Sequence, residues 1–257
     1  MARRKTLRSD LAWATPDRIF VKDFDLCQDL LGKLSLGDMA FLEMMDRRPT
    51  AAESTVFNAM ALTLVEHGLT PSAIATRLTL AGAPEAMQAA VAAGLCGLGS
   101  VFVGSMETAA RVLQEALPSP QAERNVATLA RDIVAAHIAG KKPIPGIGHH
   151  FHKPADPRAG KLFEIAQENG LSGCYVALMQ EIAREGERQL GKSLPVNATG
   201  AIAALASELG MPWTIVRGVG VIARAIGLVG HVREELKNPL AREIKTRTEE
   251  EATAHRR

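Results

Sequence analysis

An excess of charge of either sign is missing from this chain: 30 basic side chains stand against 28 acidic ones, a net of +2 at pH 7. So close a balance leaves no electrostatic footprint for nucleic acid, although arginines clustered locally would still hold a small anion. Cysteine is scarce as well. Cys27, Cys96 and Cys174 are odd in number and far apart, which fits neither a disulfide framework nor CxxC metal spacing and makes a reducing cytoplasm the simplest reading. The basic start MARRKTLRSD is followed by no apolar run, so an export signal is not expected. No G-x-x-x-x-G-K-[ST] loop, short-period repeat or Ser/Gly linker occurs. At 257 residues the chain can still bury a full core.

Strand signals are nearly absent, and helical periodicity fills their place. Apolar residues recur at three and four in Leu26, Leu30, Leu31, Leu34 and Leu36, and again in Ile165, Leu171, Val176, Met179 and Ile182. Helix starts are readable at Thr70-Pro71, at Pro84, at Ser119-Pro120 and at Pro212, each with proline in the first turn. The tail from Glu243 is charged throughout and reads as a solvated or frayed end. Ala86 to Met106 carries no charge and is long enough to cross a bilayer, but it has low hydrophobicity and neither an aromatic belt nor a basic flank. A buried helix of a soluble protein from Pro84 to Met106 is the preferred reading. Its Gly94, Gly97, Gly99 and Gly104 each cost about 1 kcal/mol relative to alanine, which close approach of a second helix, within the chain or from another subunit, would offset.

The segment KPIPGIGHHFHKPADPRAGKLF, Lys142 to Phe163, puts His149, His150 and His152 in a Pro/Gly-rich setting. Such a stretch is a shaped loop rather than a helix, and loops are where function concentrates. The bare backbones of Gly146 and Gly148 would let a large ligand lie against the chain. H-H-x-H lacks the i, i+4 spacing of a helical zinc pair, and no matching Cys/His set lies elsewhere, so no metal is expected.

The pattern Pro145, Gly146, Gly148, His149, Lys153, Asp156, Pro157, Arg158 resembles the active-site loop of the citrate synthase family. Further landmarks follow in the right order. VEHGLTPSAIATRL, with His67, resembles the family's DHG helix start; IARAIGLVGHVREEL, with Arg224 and His231, resembles its ARxxGxxAH helix; and the stretch from Arg18 to Glu53 resembles its N-terminal approach. The likeness runs from about Arg18 to Arg242. Within the superfamily, the length and Phe102, which stands where synthases carry the histidine of GPLHGG, are most similar to citryl-CoA lyases and the citrate-synthase-like module of ATP-citrate lyase.

That resemblance implies an all-α fold, with a large subdomain of about 1–106 and 213–257 and a small one of about 107–212, assembled as a homodimer or tetramer. It implies making or breaking a C–C bond between an acyl-CoA and a 2-oxo acid, as in citryl-CoA going to acetyl-CoA plus oxaloacetate. No nucleic-acid or membrane partner is implied. His149 would move the hydroxyl proton, since its unperturbed pKa lies near neutrality. Arg158, Arg224 and Arg242, the last across a subunit boundary, would hold carboxylates with help from His67, and Phe102 would line the substrate site. Coenzyme A would lie along Lys142, Pro143, Ile144, Pro145, Gly146, Ile147 and Gly148, with Lys141, Lys142 or Lys153 near phosphate. His231 reads as a core histidine outside the catalytic set.

One position departs from the pattern. Family enzymes carry an aspartate in NVDxxSG or VDGFIG, and Asn197 of LPVNATGAIAAL falls in its place. An amide can hydrogen-bond a thioester oxygen but cannot titrate near neutral pH. Either water or a neighbour such as Ser193, Thr199 or His150 moves the proton, or the substrate differs, or the protein binds an acyl-CoA ester without turnover.

Overall fold

The computed structural model describes residues 7–119, 125–149 and 154–256. Helix dominates, as the resemblance implies, with three short strands at the start: β1 (Ala12–Ala14), β2 (Ile19–Val21) and β3 (Phe24–Asp25), antiparallel in that order. Trp13 lies opposite Phe20, and their rings stack at 4.0 Å. The leucine repeat that followed does not make one helix. It divides into a π-helical turn, Leu26–Leu30, and α1 (Leu36–Met45), because Gly32 turns at φ +72° and Ser35 caps the new helix in a reciprocal box with Asp38.

The remaining helices are α2 (Ala51–Val65), α3 (Pro71–Gly82), α4 (Met87–Cys96), α5 (Gly104–Ala116), α6 (Val126–Ala139), α7 (Pro157–Glu168), α8 (Cys174–Leu190), α9 (Ala198–Glu208), α10 (Trp213–Lys237) and α11 (Ala241–Thr253). Thr70 caps α3 with Pro71 in its first turn, as its sequence indicates. Pro84 instead lies in the turn ahead of α4, and Pro212 is the cap of α10 rather than part of it. The start expected at Ser119-Pro120 runs into residues outside those described; α6 begins later, capped by Asn125. Leu171 falls in the turn between α7 and α8. The charged tail is solvated but not frayed: α11 is helical and carries the i, i+4 pairs Glu243–Arg247 and Lys245–Glu249, the kind that supports an exposed helix by a few tenths of a kcal/mol.

α9 organises the core. Ala198 and every residue from Gly200 to Ser207 are buried, as a helix must be when it is apolar on all sides. Its alanines let α5, α7, α8 and α10 pack around it, and one apolar cluster runs from Phe41 on α1 to Val219 on α10, spanning both stretches expected to form subdomains. Among the described residues only α10 is long and apolar enough to cross a bilayer, and half of that stretch is buried within the chain.

The uncharged stretch from Pro84 to Met106 is not a single helix. α4 ends at Gly97, and a turn through Val103 separates it from α5, so neither piece has the length of a bilayer span. The reason for Gly94 is intrachain packing: a Cβ there would lie 2.0 Å from Thr76 Oγ1 and 2.9 Å from the Ser72 carbonyl oxygen, both on α3. Gly99 has nothing within 4 Å. Gly94→Ala is therefore expected to lower stability by about 1–2 kcal/mol, overpacking outweighing the gain in helix propensity, and Gly99→Ala to be neutral. Urea midpoints of the two variants check this.

Candidate active site

Four helix N-termini line one cleft of about 450 Å³. They are α3 through Thr70, Pro71 and Ser72, α5 through Val103 and Ser105, α7 through Arg158, and α9 through Asn197, Ala198 and Thr199. Each brings backbone N–H groups and the positive end of its dipole, which together favour an anion. His67, from the turn after α2, His149, from the Pro/Gly loop, and Arg224, from α10, complete the polar lining. Leu64, Leu69, Leu98, Val101 and Phe102 supply an apolar side.

Asp156 ties two of these termini together. Its carboxylate is buried, accepting from the Arg158 backbone N–H (3.1 Å) as cap of α7 and from the Ala198 N–H (3.0 Å) at the start of α9. It also pairs with Arg158 Nε (3.0 Å) and Nη2 (2.9 Å). Burial pushes this carboxyl up, but the Arg158 guanidinium and the Ala198 N–H override it and hold it below the usual range. The pair uses Nε and Nη2 and holds the guanidinium in the cleft lining.

The loop is pinned to α9 by a short antiparallel ladder. Ile147 bridges to Val196, Gly148 N–H donates to the Pro195 carbonyl (2.7 Å), and Asn197 N–H donates to the Gly146 carbonyl (3.0 Å). Gly146 and Gly148 take φ +86° and +77°, values that disfavour any side chain. Their bare Cα faces are packed against the protein itself. A Cβ at Gly146 would lie 2.8 Å from Gly200 Cα, and one at Gly148 would lie 3.1 Å from Leu194 Cδ2.

Asn197 is equally engaged. Its Oδ1 accepts from the Gly200 N–H (3.0 Å) and Thr199 Oγ1 (2.8 Å), and its Nδ2 donates to the Gly148 carbonyl (2.8 Å). One Nδ2 proton is left for a ligand. Arg224 is nearly buried, and burial pulls its guanidinium below its usual value while Glu66 opposes that effect. Two buried polar atoms of this lining, Arg224 Nη1 and Ser72 Oγ, have no hydrogen-bond partner among the described residues. Groups so placed are costly unless a ligand satisfies them.

Residues 34–247 match the family described as citrate synthase, C-terminal domain. The chain belongs to the citrate synthase family. Its structure is similar to that of citryl-CoA lyase from Hydrogenobacter thermophilus, with a TM-score of 0.83 and 35% identity over 91% of this chain and 88% of that one. The fold is shared with ATP citrate lyase from Methanothrix soehngenii in complex with citrate and coenzyme A, at a TM-score of 0.74 and 19% identity over 92% of this chain and 40% of that one. Citrate synthase 2 of Bacillus subtilis is 25% identical over 191 residues, 74% of this chain and 49% of that protein. The chain spans about half or less of the length of the curated relatives it matches.

Of the residues singled out in the sequence, the cleft brings together His67, Phe102, His149, Arg158, Asn197 and Arg224. Lys142, Pro143, Ile144 and Ile147 line a second cleft of about 420 Å³ with Lys141, Lys192 and His137. Pro145 is half-buried and Gly146 buried. Arg242 is exposed at the start of α11 and does not line the cleft of its own chain. His150, His152 and Lys153 lie outside the described residues. The sequence reading missed Glu66, Ser72 and the convergence of helix N-termini; only the Thr70-Pro71 helix start hinted at the last.

Asp156→Asn is expected to cost about 2–3 kcal/mol, less than a fully buried pair because Arg158 keeps 28% of its side chain in solvent. The depressed Asp156 pKa fixes the pH window. The wild-type advantage is complete above the unfolded value of 3.8 and disappears as pH falls through the lower folded value. Urea midpoints of both proteins between pH 7 and pH 3 test both statements.

Proposed function

We propose that this protein is an enzyme of the citryl-CoA lyase type, making or breaking a C–C bond between an acyl-CoA and a 2-oxo acid. The observation that carries the reading is a cleft in which an imidazole, His149, shares a lining with the buried, hydrogen-bond-deficient Nη1 of Arg224. In the cleavage direction, carboxylates of the bound ester would meet Arg224, Arg158 and the α3 and α9 N-termini. His149 would take the proton of the hydroxyl as the C–C bond breaks, the electron pair of that bond entering the thioester as an enolate, whose carbon then takes a proton from water to give acetyl-CoA. His67 would donate to the oxo acid so formed. Coenzyme A would follow the loop from Lys142 to Gly148, with the second cleft and its lysines taking the phosphates. The partners of this reading are an acyl-CoA, a small oxo acid and a second copy of the chain, to which the exposed Arg242 is open, in the cytoplasm.

A second reading is favoured by Asn197, which cannot exchange a proton with the acetyl carbon: a CoA-ester binding or regulatory protein whose site has lost turnover. Oxaloacetate release from citryl-CoA and from branched hydroxyacyl-CoAs, measured beside CoA affinity, separates the two. We expect citryl-CoA cleavage, and a loss of about 100-fold or more in kcat for His149→Ala at unchanged CoA affinity. Tight CoA binding without turnover of any ester would support the binding reading.

Asn197→Asp probes the missing acid. Aspartate would keep the cap at Gly200 N–H and would place a titratable group at the acetyl carbon, at the loss of the amide hydrogen bond to the Gly148 carbonyl. Turnover of citryl-CoA is expected to rise by about 100-fold.

A further inference from the structure

A line of charged side chains runs behind the cleft, and its members belong to three helices. On α10, Arg224, Gly227, Leu228, His231 and Glu235 share the buried face, spaced at three and four as one side of a helix requires. α10 touches the end of α2 at Gly227. A Cβ there would lie 1.9 Å from the Val65 carbonyl oxygen and 3.3 Å from Glu66 Oε2, so only glycine allows this approach. Glu66, which ends α2, is thereby set between Arg224, a turn before Gly227, and His231, a turn after it.

Glu66 Oε1 accepts from the backbone N–H groups of His67 (2.7 Å) and Gly68 (2.8 Å), meets His231 Nε2 at 3.1 Å, and stands 3.7 Å from Arg224 Nη1. His231 has its tautomer chosen for it. Arg77 offers Nε (3.2 Å) and Nη2 (3.0 Å) to Nδ1, and a guanidinium can only donate, so Nδ1 is the acceptor and Nε2–H points at Glu66. Arg77 is fully buried and balanced by Glu235 (3.0 Å) and Glu234.

We propose that Glu66 is a positioning residue for the carboxylate end of the substrate, braced by His231 and Arg77; the proposal rests on the function read above. The contact to Arg224 is ionic without a hydrogen bond, so Glu66 balances the buried charge while the Nη1 proton stays available to an incoming carboxylate. The same carboxylate fixes the backbone of His67, a second member of the cleft. One anion thus sets two substrate-facing groups. It does so from the negative end of α2, where neighbouring cations offset the unfavourable dipole.

Glu66→Gln keeps the shape and the acceptor for His67 and Gly68 but removes the charge facing Arg224. Oxaloacetate affinity, measured by calorimetry, is expected to weaken by about tenfold or more and the KM for citryl-CoA to rise, while CoA affinity stays unchanged. Glu66→Asp should recover most of the loss. Independently of any ligand, rotation of the Arg224 guanidinium, followed by NMR and assigned by loss of its signal in Arg224→Lys, should be slow in the wild type and fast in Glu66→Gln. A Glu66→Gln protein with unaltered oxaloacetate affinity and slow rotation would overturn the proposal, even if its melting temperature falls. If the wild type cleaves no citryl-CoA, the function reading fails, and the rotation comparison still decides the role of Glu66.

Discussion

A single buried carboxylate, that of Asp156, caps α7, holds the first N–H of α9 and locks Arg158. Remove its charge and two helix starts and one guanidinium lose their common reference. Because α9 is buried at Ala198 and from Gly200 to Ser207, its N-terminus cannot drift to find other partners. The cleft inherits that rigidity: Asn197, Ala198 and Thr199 occupy fixed places in its lining, and the His149 loop is laced to the same helix start by the Ile147–Val196 ladder.

The electrostatics of the cleft follow from this arrangement. Helix N-termini and guanidinium groups both favour anions, and their convergence from separate parts of the chain makes a locally positive cleft out of a sequence with almost no net charge. The cost of burying Arg224 beneath that site is met from behind by Glu66, itself tied to His231 and Arg77. A charge network that would be an expensive ornament in a core is economical here, since it leaves one N–H unsatisfied where a ligand would arrive.

Much of this was legible in the primary structure. The cap signal at Thr70-Pro71 and the Pro/Gly loop around His149 each announced themselves, because each breaks a local rule of propensity. The family likeness joined them into one site, and the 35% identity to a citryl-CoA lyase structure stands with that likeness. Periodicity misled at Leu26–Leu36 and at Pro84–Met106, where small or turn-forming residues interrupt a pattern that reads as continuous. The loop glycines have a packing role that the sequence does not announce: Gly146 lies against Gly200.

What the sequence determined by itself is local: helix starts, the composition of the loop, the absence of a titrating group at Asn197. These depend on neighbours along the chain. Which side chains face one another was decided only by the tertiary structure. Glu66 and His231, or Asp156 and Ala198, are far apart in the chain and meet because helices pack at distances that a missing Cβ permits. Contacts of that kind leave no periodic trace in a single sequence, since no spacing along the chain encodes them.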